Sequence, residues 1–411
     1  MTTPGRGTAT GRPPTAAADP SAADLLDRVA QLVAAHPPDQ ADRLDFLRAR
    51  FDAGLAWVSY PIGLGGLGLP RALQAGVDAA LAAAGAPDNS PRSIGIGLGM
   101  AAPTILSHGS DEQQQRWLRP LWTGEEVWCQ LFSEPGAGSD LAALGTRAVP
   151  DGDEWIVNGQ KVWTSMAHEA RWGILVTRTD PDVPKHAGMT YFGCDMSVPG
   201  VDVRPLRQAT GEAEFNEVFL TDVRLPDTDR IGEVGNGWRV ATGTLMNERV
   251  AIGGQSAPRE GGMLGMVTSV WRERPELRTP GLHGKLMEQW VRAEASRITG
   301  ERLRQQLVAG TPGPEGSAAK LMFSELNQKL SGLLLELLGE EGLAYDDWTM
   351  RRPKEVHFHG ERPGYSYLRA KGNSIEGGTT EILLNIVAER VLGLPGEMRV
   401  DKDVPWKDLP R

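Results

Sequence analysis

The spacing of apolar residues changes twice along this chain, and that double change limits what it can fold into more than any other feature. From Ala23 to about Gly124 apolar residues recur at three and four positions, as at Leu25, Leu26, Val29 and Leu32, and Ala72 to Ala84 is rich in Ala and Leu. Both features predict helices. From Glu125 to about Gly235 short β-type runs alternate with turn residues, at Trp172 to Arg178, Gly188 to Met196 and Phe215 to Leu220. Trp155-Ile-Val157 and Gln160-Lys-Val-Trp163 flank Asn158-Gly159, which predicts a hairpin, since Asn-Gly accepts the positive φ angles of a tight turn. Helical spacing returns after Trp238, with Leu286, Trp290, Ala293 and Arg297 on one face and amphipathic runs over Ser317 to Leu338 and Thr380 to Leu392. The expectation is an α+β multidomain fold: a helical domain over 23–124, a β domain over 125–235 and a helical bundle over 236–395, with tails at 1–22 and 396–411. No period of 20 to 50 residues repeats, which excludes solenoids and propellers.

Composition narrows the function. In 411 residues Lys plus Arg number 43 and Asp plus Glu 53, a net charge of −10, the wrong sign for a polyanion-binding surface. Nucleic acid is therefore not an expected partner. The longest apolar cluster, Leu333 to Leu338, is broken by Glu336 and falls far short of the roughly 20 residues a spanning helix needs, so no membrane is expected. Residues 1–22 are Thr, Pro, Ala and Gly without apolar periodicity, the composition of a disordered tail rather than a secretory signal. Two cysteines, Cys129 and Cys194, form no disulfide framework, and a reducing cytoplasm is expected.

Gly63-Leu-Gly65-Gly-Leu-Gly68 matches the dinucleotide-binding pattern, follows the strand-like Leu55 to Tyr60 and precedes a helix. Pro61 and Pro70 flank it, however, and no strand and helix alternation follows. The favoured reading is a Gly-rich loop between helices, and Gly95, Gly97 and Gly99 are discounted in the same way. His357-Phe-His359 would put two imidazoles on one side of a strand, but no third metal ligand lies near in sequence. Asp88, Asp111 and Glu112 are expected in caps and turns. No metal site is expected.

Three segments carry a resemblance: Trp128-Cys-Gln-Leu-Phe-Ser-Glu-Pro-Gly-Ala-Gly-Ser-Asp140, the run Val157-Asn-Gly-Gln-Lys-Val-Trp-Thr-Ser165, and Gly377-Gly-Thr-Thr-Glu-Ile382 with Ala388-Glu-Arg-Val-Leu-Gly-Leu-Pro395. In this order they resemble the flavin-dependent acyl-CoA dehydrogenases. The likeness runs from about Leu25 to Pro395 and takes in His108-Gly-Ser-Asp-Glu-Gln113, Glu214-Phe-Asn-Glu-Val218 and Gly316-Ser-Ala-Ala-Lys-Leu321. It implies an N-terminal helical domain, a middle β-barrel or sandwich domain and a C-terminal four-helix bundle, with FAD between the last two. Two glycines in Glu134-Pro-Gly-Ala-Gly138 let backbone approach a ligand, and Ser133 and Ser139 offer hydroxyls. The resemblance implies that Gln130, Phe132 and Ser133 line the flavin ring, that Gly138 and Ser139 border it, with Ser139 also touching the thioester tail, and that Trp163 and Ser165 face the ring. Thr379 and Glu381 match family FAD contacts. Thr379 also reads as the N-cap of the helix from Thr380, with Glu381 in its first turn.

The reaction that follows from the resemblance removes an α-proton from an acyl thioester and passes the β-hydride to the flavin. Such a base must be desolvated and the enolate oxygen met by fixed donors. Aligning on Thr379 and Ile382 puts Gly377 where the family's common base stands, and its backbone N–H is the expected thioester donor. Glu248, in Leu245-Met-Asn-Glu-Arg249, matches the base of the isovaleryl- and long-chain branches, and Glu376 is the alternative. A structural ion pair with Arg249 or Arg297 is the competing reading of Glu248; Arg249 itself matches a supporting, CoA-directed arginine. The family's Arg-x-x-Phe-Gly and Gln-x-x-Gly-Gly-x-Gly segments, which serve the far end of FAD, are replaced by Trp271-Arg-Glu-Arg-Pro-Glu-Leu-Arg278 and Glu336-Leu-Leu-Gly-Glu-Glu-Gly342. An actinobacterial-type branch, some of whose members act on steroid side chains as mixed assemblies, is similar in these breaks. Expected partners are an acyl-CoA thioester, or an acyl carrier protein thioester, and an electron-transfer flavoprotein. The expected assembly is a homodimer, a homotetramer or a mixed tetramer. The rival readings are a same-fold oxidase or monooxygenase and a non-catalytic partner subunit.

Overall fold

The computed structural model describes residues 22–253, 258–308, 314–345, 347–356, 362–399 and 401–409, apart from the side chains of residues 92, 248–253, 307 and 308. The chain divides into two compact units, Met1–Pro87 and Asp88–Arg411. The first holds α1 (Ala22–Ala35), α2 (Arg43–Asp52) and α3 (Gln74–Ala83). Leu25, Val29 and Leu32 on α1 meet Phe46, Leu55, Val58, Leu69, Val77 and Leu81 in one core, while Leu26, off that stripe, is exposed. Leu55 to Tyr60 is not a strand. Instead the chain from Trp57 to Leu69 folds back on itself: Trp57 N–H donates to Gly65 O at 2.9 Å, Gly68 N–H to Tyr60 O at 2.8 Å and Leu69 N–H to Val58 O at 2.9 Å. A Cβ on Gly66 would lie 2.1 Å from Tyr60 O, so this glycine serves close backbone approach within the loop, and the motif is a Gly-rich connection between α2 and α3.

The second unit opens with α4 (Pro91–Ile96), a π turn, α5 (Ala102–His108) and α6 (Asp111–Thr123). Ser110 caps α6 in a reciprocal box with Gln113, which is the physical content of His108-Gly-Ser-Asp-Glu-Gln113. Seven strands follow: β1 (Trp128–Leu131), β2 (Arg147–Asp151), β3 (Glu154–Ser165), β4 (Trp172–Arg178), β5 (Met189–Asp195), β6 (Val201–Pro205) and β7 (Phe215–Pro226). The sheet runs β1-β4-β2-β3-β7-β6, with β5 antiparallel to β4. Its core gathers Leu131, Ala148, Trp155, Val157, Leu175, Phe192, Val218 and Leu225, with Cys129 and Cys194. Trp117 of α6 meets Trp128 and Trp172 at ring separations of 5.4 Å, tying helix to sheet.

The expected hairpin at Asn158-Gly159 is not formed, because β3 runs straight through both residues. The turn is two residues long and lies earlier, at Gly152-Asp153, where Asp151 pairs with Glu154 and Gly152 has φ +69°. Gly159 sits at a register shift against β7, where a Cβ would meet Thr146 Oγ1 at 2.3 Å. Asn158 instead donates to Asp222 across the strands at 3.0 Å. Cross-strand pairing over twelve residues outweighs the local preference of two.

Helices α7 (Gly237–Gly253), α8 (Gly262–Glu273), α9 (Pro280–Val308), α10 (Gly316–Leu338), α11 (Pro363–Gly372) and α12 (Thr380–Ile386) complete the unit. Met263, Leu264 and Val267 of α8, Leu286 of α9 and Leu330, Leu333 and Leu334 of α10 form their core. Near the C-terminus Trp406 packs under Arg178, with 5.0 Å from guanidinium to ring, and donates to Ala143 O at 3.2 Å. The N-terminal tail up to residue 21 and His357-Phe-His359 lie outside the described residues.

Candidate active site

The site is built first from β3. Lys161 is fully buried, and its ammonium donates to Phe132 O at 3.0 Å, Val176 O at 2.9 Å and Glu134 Oε1 at 2.8 Å. Burial pushes Lys161 down from its ordinary range against the pull of Glu134. Burial also acts to raise Glu134, but Lys161 and the N–H donors of Thr146 and Gly145 outweigh it and hold this carboxylate below its usual range. One buried cation thus fixes both ends of Phe132-Ser133-Glu134. The register of β3 on β7 shifts between Lys161 and Thr164. Within that bulge Trp163 takes φ +60°, rare for a bulky residue, and stays 56% exposed. Its ring meets the edge of Phe215 at 5.8 Å. Ser165 is half-buried beside it, and the buried Thr164 hydroxyl has no hydrogen-bond partner among the described residues.

The loop after β1 completes this side. Gln130 and Ser133 are half-buried, and Phe132 is buried edge-on to Tyr191 at 5.8 Å. Glu134 and Ala137 exchange backbone hydrogen bonds at 3.0 Å, and Cβ atoms placed on Gly136 or Gly138 would meet nothing within 4 Å. The backbone there is bare, as the two glycines predict, and Ser139 is exposed next to it. The Tyr191 hydroxyl lies 3.1 Å from Thr244 Oγ1 of α7, itself 2.8 Å from Thr104 Oγ1. Glu248 stands one turn beyond Thr244 on the same helix. The side chains of Glu248 and Arg249 lie outside the described residues. Arg297, a competing partner for Glu248, is held by Glu294 at 2.8 Å.

The other wall is the segment from Asn373 to Thr379. Gly377 and Gly378 take φ +65° and +99°, a conformation that side chains resist. Thr379 caps α12, its Oγ1 accepting from Ile382 N–H at 3.3 Å, with Glu381 exposed in the first turn. Buried Lys320 of α10 donates to Asn373 O at 2.7 Å and Gly378 O at 2.8 Å, so it grips both ends of the segment. Glu376, the alternative base, is half-buried. It accepts from Arg369 Nη1 at 2.9 Å and Asn373 Nδ2 at 2.5 Å. The Arg369 guanidinium lies 5.9 Å from the centre of Phe215, so Trp163, Phe215, Arg369 and Glu376 form a continuous line from strand to loop.

Sequence reasoning missed Lys161, Glu214, Lys320 and Arg369. Lys161 and Lys320 stood inside segments quoted for their resemblance, and a lysine at an otherwise inward position of a strand or helix was the available signal. The arrangement fits a flat, largely apolar ring: the exposed indole of Trp163 and the bare backbone at Gly136 and Gly138 are what such a group would cover.

Comparison with known proteins identifies the family and the fold. Residues 20–125, 129–223 and 235–392 match the N-terminal, middle and C-terminal domains of acyl-CoA dehydrogenase. The acyl-CoA dehydrogenase FadE34 of Mycobacterium tuberculosis is 44% identical over 301 residues, 72% of this chain but only 39% of that protein. The acyl-CoA dehydrogenase IpdE1 of the same organism is 36% identical over 84% of this chain and 86% of its own length. Among solved structures, the steroid acyl-CoA dehydrogenase Tcur3481-Tcur3483 aligns with a TM-score of 0.70 at 25% identity, over 92% of this chain and 98% of that one. The ChsE4-ChsE5 complex of M. tuberculosis aligns at 0.67 and 26%, over 92% and 97%. The matching domains and relatives therefore define a flavoprotein oxidoreductase of the acyl-CoA dehydrogenase type. The chain belongs to the acyl-CoA dehydrogenase family, in its actinobacterial-type branch. Among the described residues no group of three or more His, Cys, Asp or Glu is placed to hold a metal, and no helix is long and apolar enough to cross a membrane.

Proposed function

We propose that this chain holds FAD and introduces an α,β double bond into an acyl-CoA thioester, with electrons leaving to an electron-transfer flavoprotein. The observation that carries this reading is the line from exposed Trp163 through Phe215 and Arg369 to the glycine loop, which joins two of the three sequence segments of the resemblance in one neighbourhood. Bound flavin would supply a hydride acceptor. Trp163, Ser165, Gln130, Phe132, Ser133, Gly138, Thr379 and Glu381 are the residues assigned to hold it. Ser139 and Arg249 are assigned to the thioester end.

Glu248 is assigned as the base that takes the α-proton, and the Gly377 N–H as a donor to the thioester oxygen, a role that needs no side chain. Glu376 is the poorer candidate because its Oε1 is already engaged by Arg369 and Asn373 and is not free to meet a substrate proton. The likeness to the paired assemblies Tcur3481-Tcur3483 and ChsE4-ChsE5 supports a mixed oligomer over a homotetramer, and the buried free thiols of Cys129 and Cys194 fit a cytoplasmic setting. The test is anaerobic bleaching of the flavin by a panel of acyl-CoA thioesters, steroid side-chain thioesters included. Bleaching by at least one supports the reading. A yellow chain that no thioester bleaches overturns it, and hydrogen peroxide formed in step with substrate loss in air moves it to an oxidase.

A further inference from the structure

Glu214 is 1% exposed, yet neither carboxylate oxygen has a hydrogen-bond partner among the described residues. It stands just before β7, its backbone O accepting from Met166 N–H at 2.8 Å and Asn216 Nδ2 at 3.0 Å. Its nearest cation is Arg369 of α11, Nε to Oε1 3.5 Å. That is a loose contact for a charge so deeply buried. The same guanidinium holds Glu376 tightly through Nη1. Gly372 makes room for this arrangement, since a Cβ there would sit 3.2 Å from Arg369 Nη1 and 3.8 Å from Glu376 Oε2.

We infer that Glu214 is a positioning residue that competes with Glu376 for Arg369 and thereby sets how firmly the segment carrying Gly377 is held. The inference deepens the proposed function and rests on the Gly377 assignment made there. When Glu214 is neutral, it no longer competes with Glu376 for Arg369, and the loop is clamped between that pair and Lys320. When Glu214 is ionised, two carboxylates share one buried guanidinium and the hold on Glu376 weakens. The other charged groups facing the cluster do not remove this competition. Glu212 accepts from Tyr365 Oη at 2.6 Å and lies 3.8 Å from Arg351, while Arg352 and His168 are turned to Asn216. Burial raises Glu214 to about 7, with Glu212 and Glu376 adding to the rise and Arg369 opposing it, so the exchange between the two states falls within the working range of pH.

The test is hydrogen exchange of peptides covering residues 373–380 in the full chain, corrected for intrinsic rates, at pH 5.5 and pH 8.5, for wild type and Glu214→Gln. The variant keeps the shape and removes the charge. Equal protection at pH 5.5 and several-fold slower exchange in Glu214→Gln at pH 8.5 are expected. Glu376→Gln should exchange quickly at both pH values, because the loop has lost its anchor. Identical exchange in wild type and Glu214→Gln at both pH values, or a difference independent of pH, overturns the inference. The limiting rate of flavin bleaching, measured alongside, should rise several-fold in Glu214→Gln at pH 8.5 only. An unchanged bleaching rate with altered exchange overturns the link to the reaction. Absence of bleaching with every thioester would fail the proposed function and leave the exchange result to decide the role of Glu214 in the loop.

Discussion

Replacing Lys161 with methionine tests the foundation of the site. The substitution leaves the mostly covered Glu134 beside β3 without its cation and strips the Phe132 and Val176 carbonyls of a donor. Breaking a buried ion pair on one side costs about 3–5 kcal/mol, because the surviving charge is left uncompensated. For a unit as large as residues 88–411, at roughly 2–4 °C per kcal/mol, the melting temperature should fall by about 10 °C. Glu134 still accepts from Gly145 and Thr146 N–H at 2.7 and 2.9 Å, so the loop keeps part of its shape. Adding Glu134→Gln removes the orphaned charge while preserving an acceptor for one of those two amides, and the double variant should recover at least half of the loss. Thermal unfolding followed by tryptophan fluorescence reads all three proteins. A fall of less than about 3 °C in Lys161→Met, or a double variant less stable than the single one, would refute the idea that this pair is a tightly coupled anchor.

Three further outcomes are expected. Glu214 stands at about 7 in the folded chain against an ordinary 4.5, so the folded state keeps a proton that the unfolded state releases. Its contribution to stability therefore falls as pH rises from 4.5 to 7 and is flat above, a loss of about 3 kcal/mol. Urea denaturation across that range should show the stability of wild type relative to Glu214→Gln dropping by that amount, and parallel curves would contradict it. Gly66→Ala should destabilise the first unit by more than Gly63→Ala, since only Gly66 has backbone oxygens, at 2.1 and 2.3 Å, in the way of a Cβ; equal melting temperatures would show that the loop yields. Thr379→Ala should cost about 1 kcal/mol through loss of the α12 cap, and a loss of FAD in equilibrium dialysis beyond what that destabilisation explains would mark its separate contact with the cofactor.

The order of helices, strands and helices was legible because each stretch carries its own period, and Trp172–Arg178 and Thr379 as a cap were visible in local chemistry. The short β1, β2 and β6 were not, since four or five residues give too little alternation to stand out from loop. The Asn158-Gly159 hairpin failed for a related reason: whether such a dipeptide turns depends on what lies opposite, and β7 pairs on both sides of it. The segments of the site were readable by resemblance, but their support was not. Lys161 and Lys320 act through backbone carbonyls far away in sequence, and Glu214 meets Arg369 across 155 residues, contacts that only the fold creates.

The central claim is that Glu248 removes the α-proton of a bound thioester. Anaerobic stopped-flow bleaching of wild type and Glu248→Gln, each loaded with FAD to the same absorbance, tests it most directly. General-base catalysis is worth roughly 10²–10⁴-fold, so the account predicts that wild type bleaches and that Glu248→Gln, still yellow, bleaches slower by at least about 10²-fold. Equal rates in the two proteins would contradict it and return the role of base to Glu376.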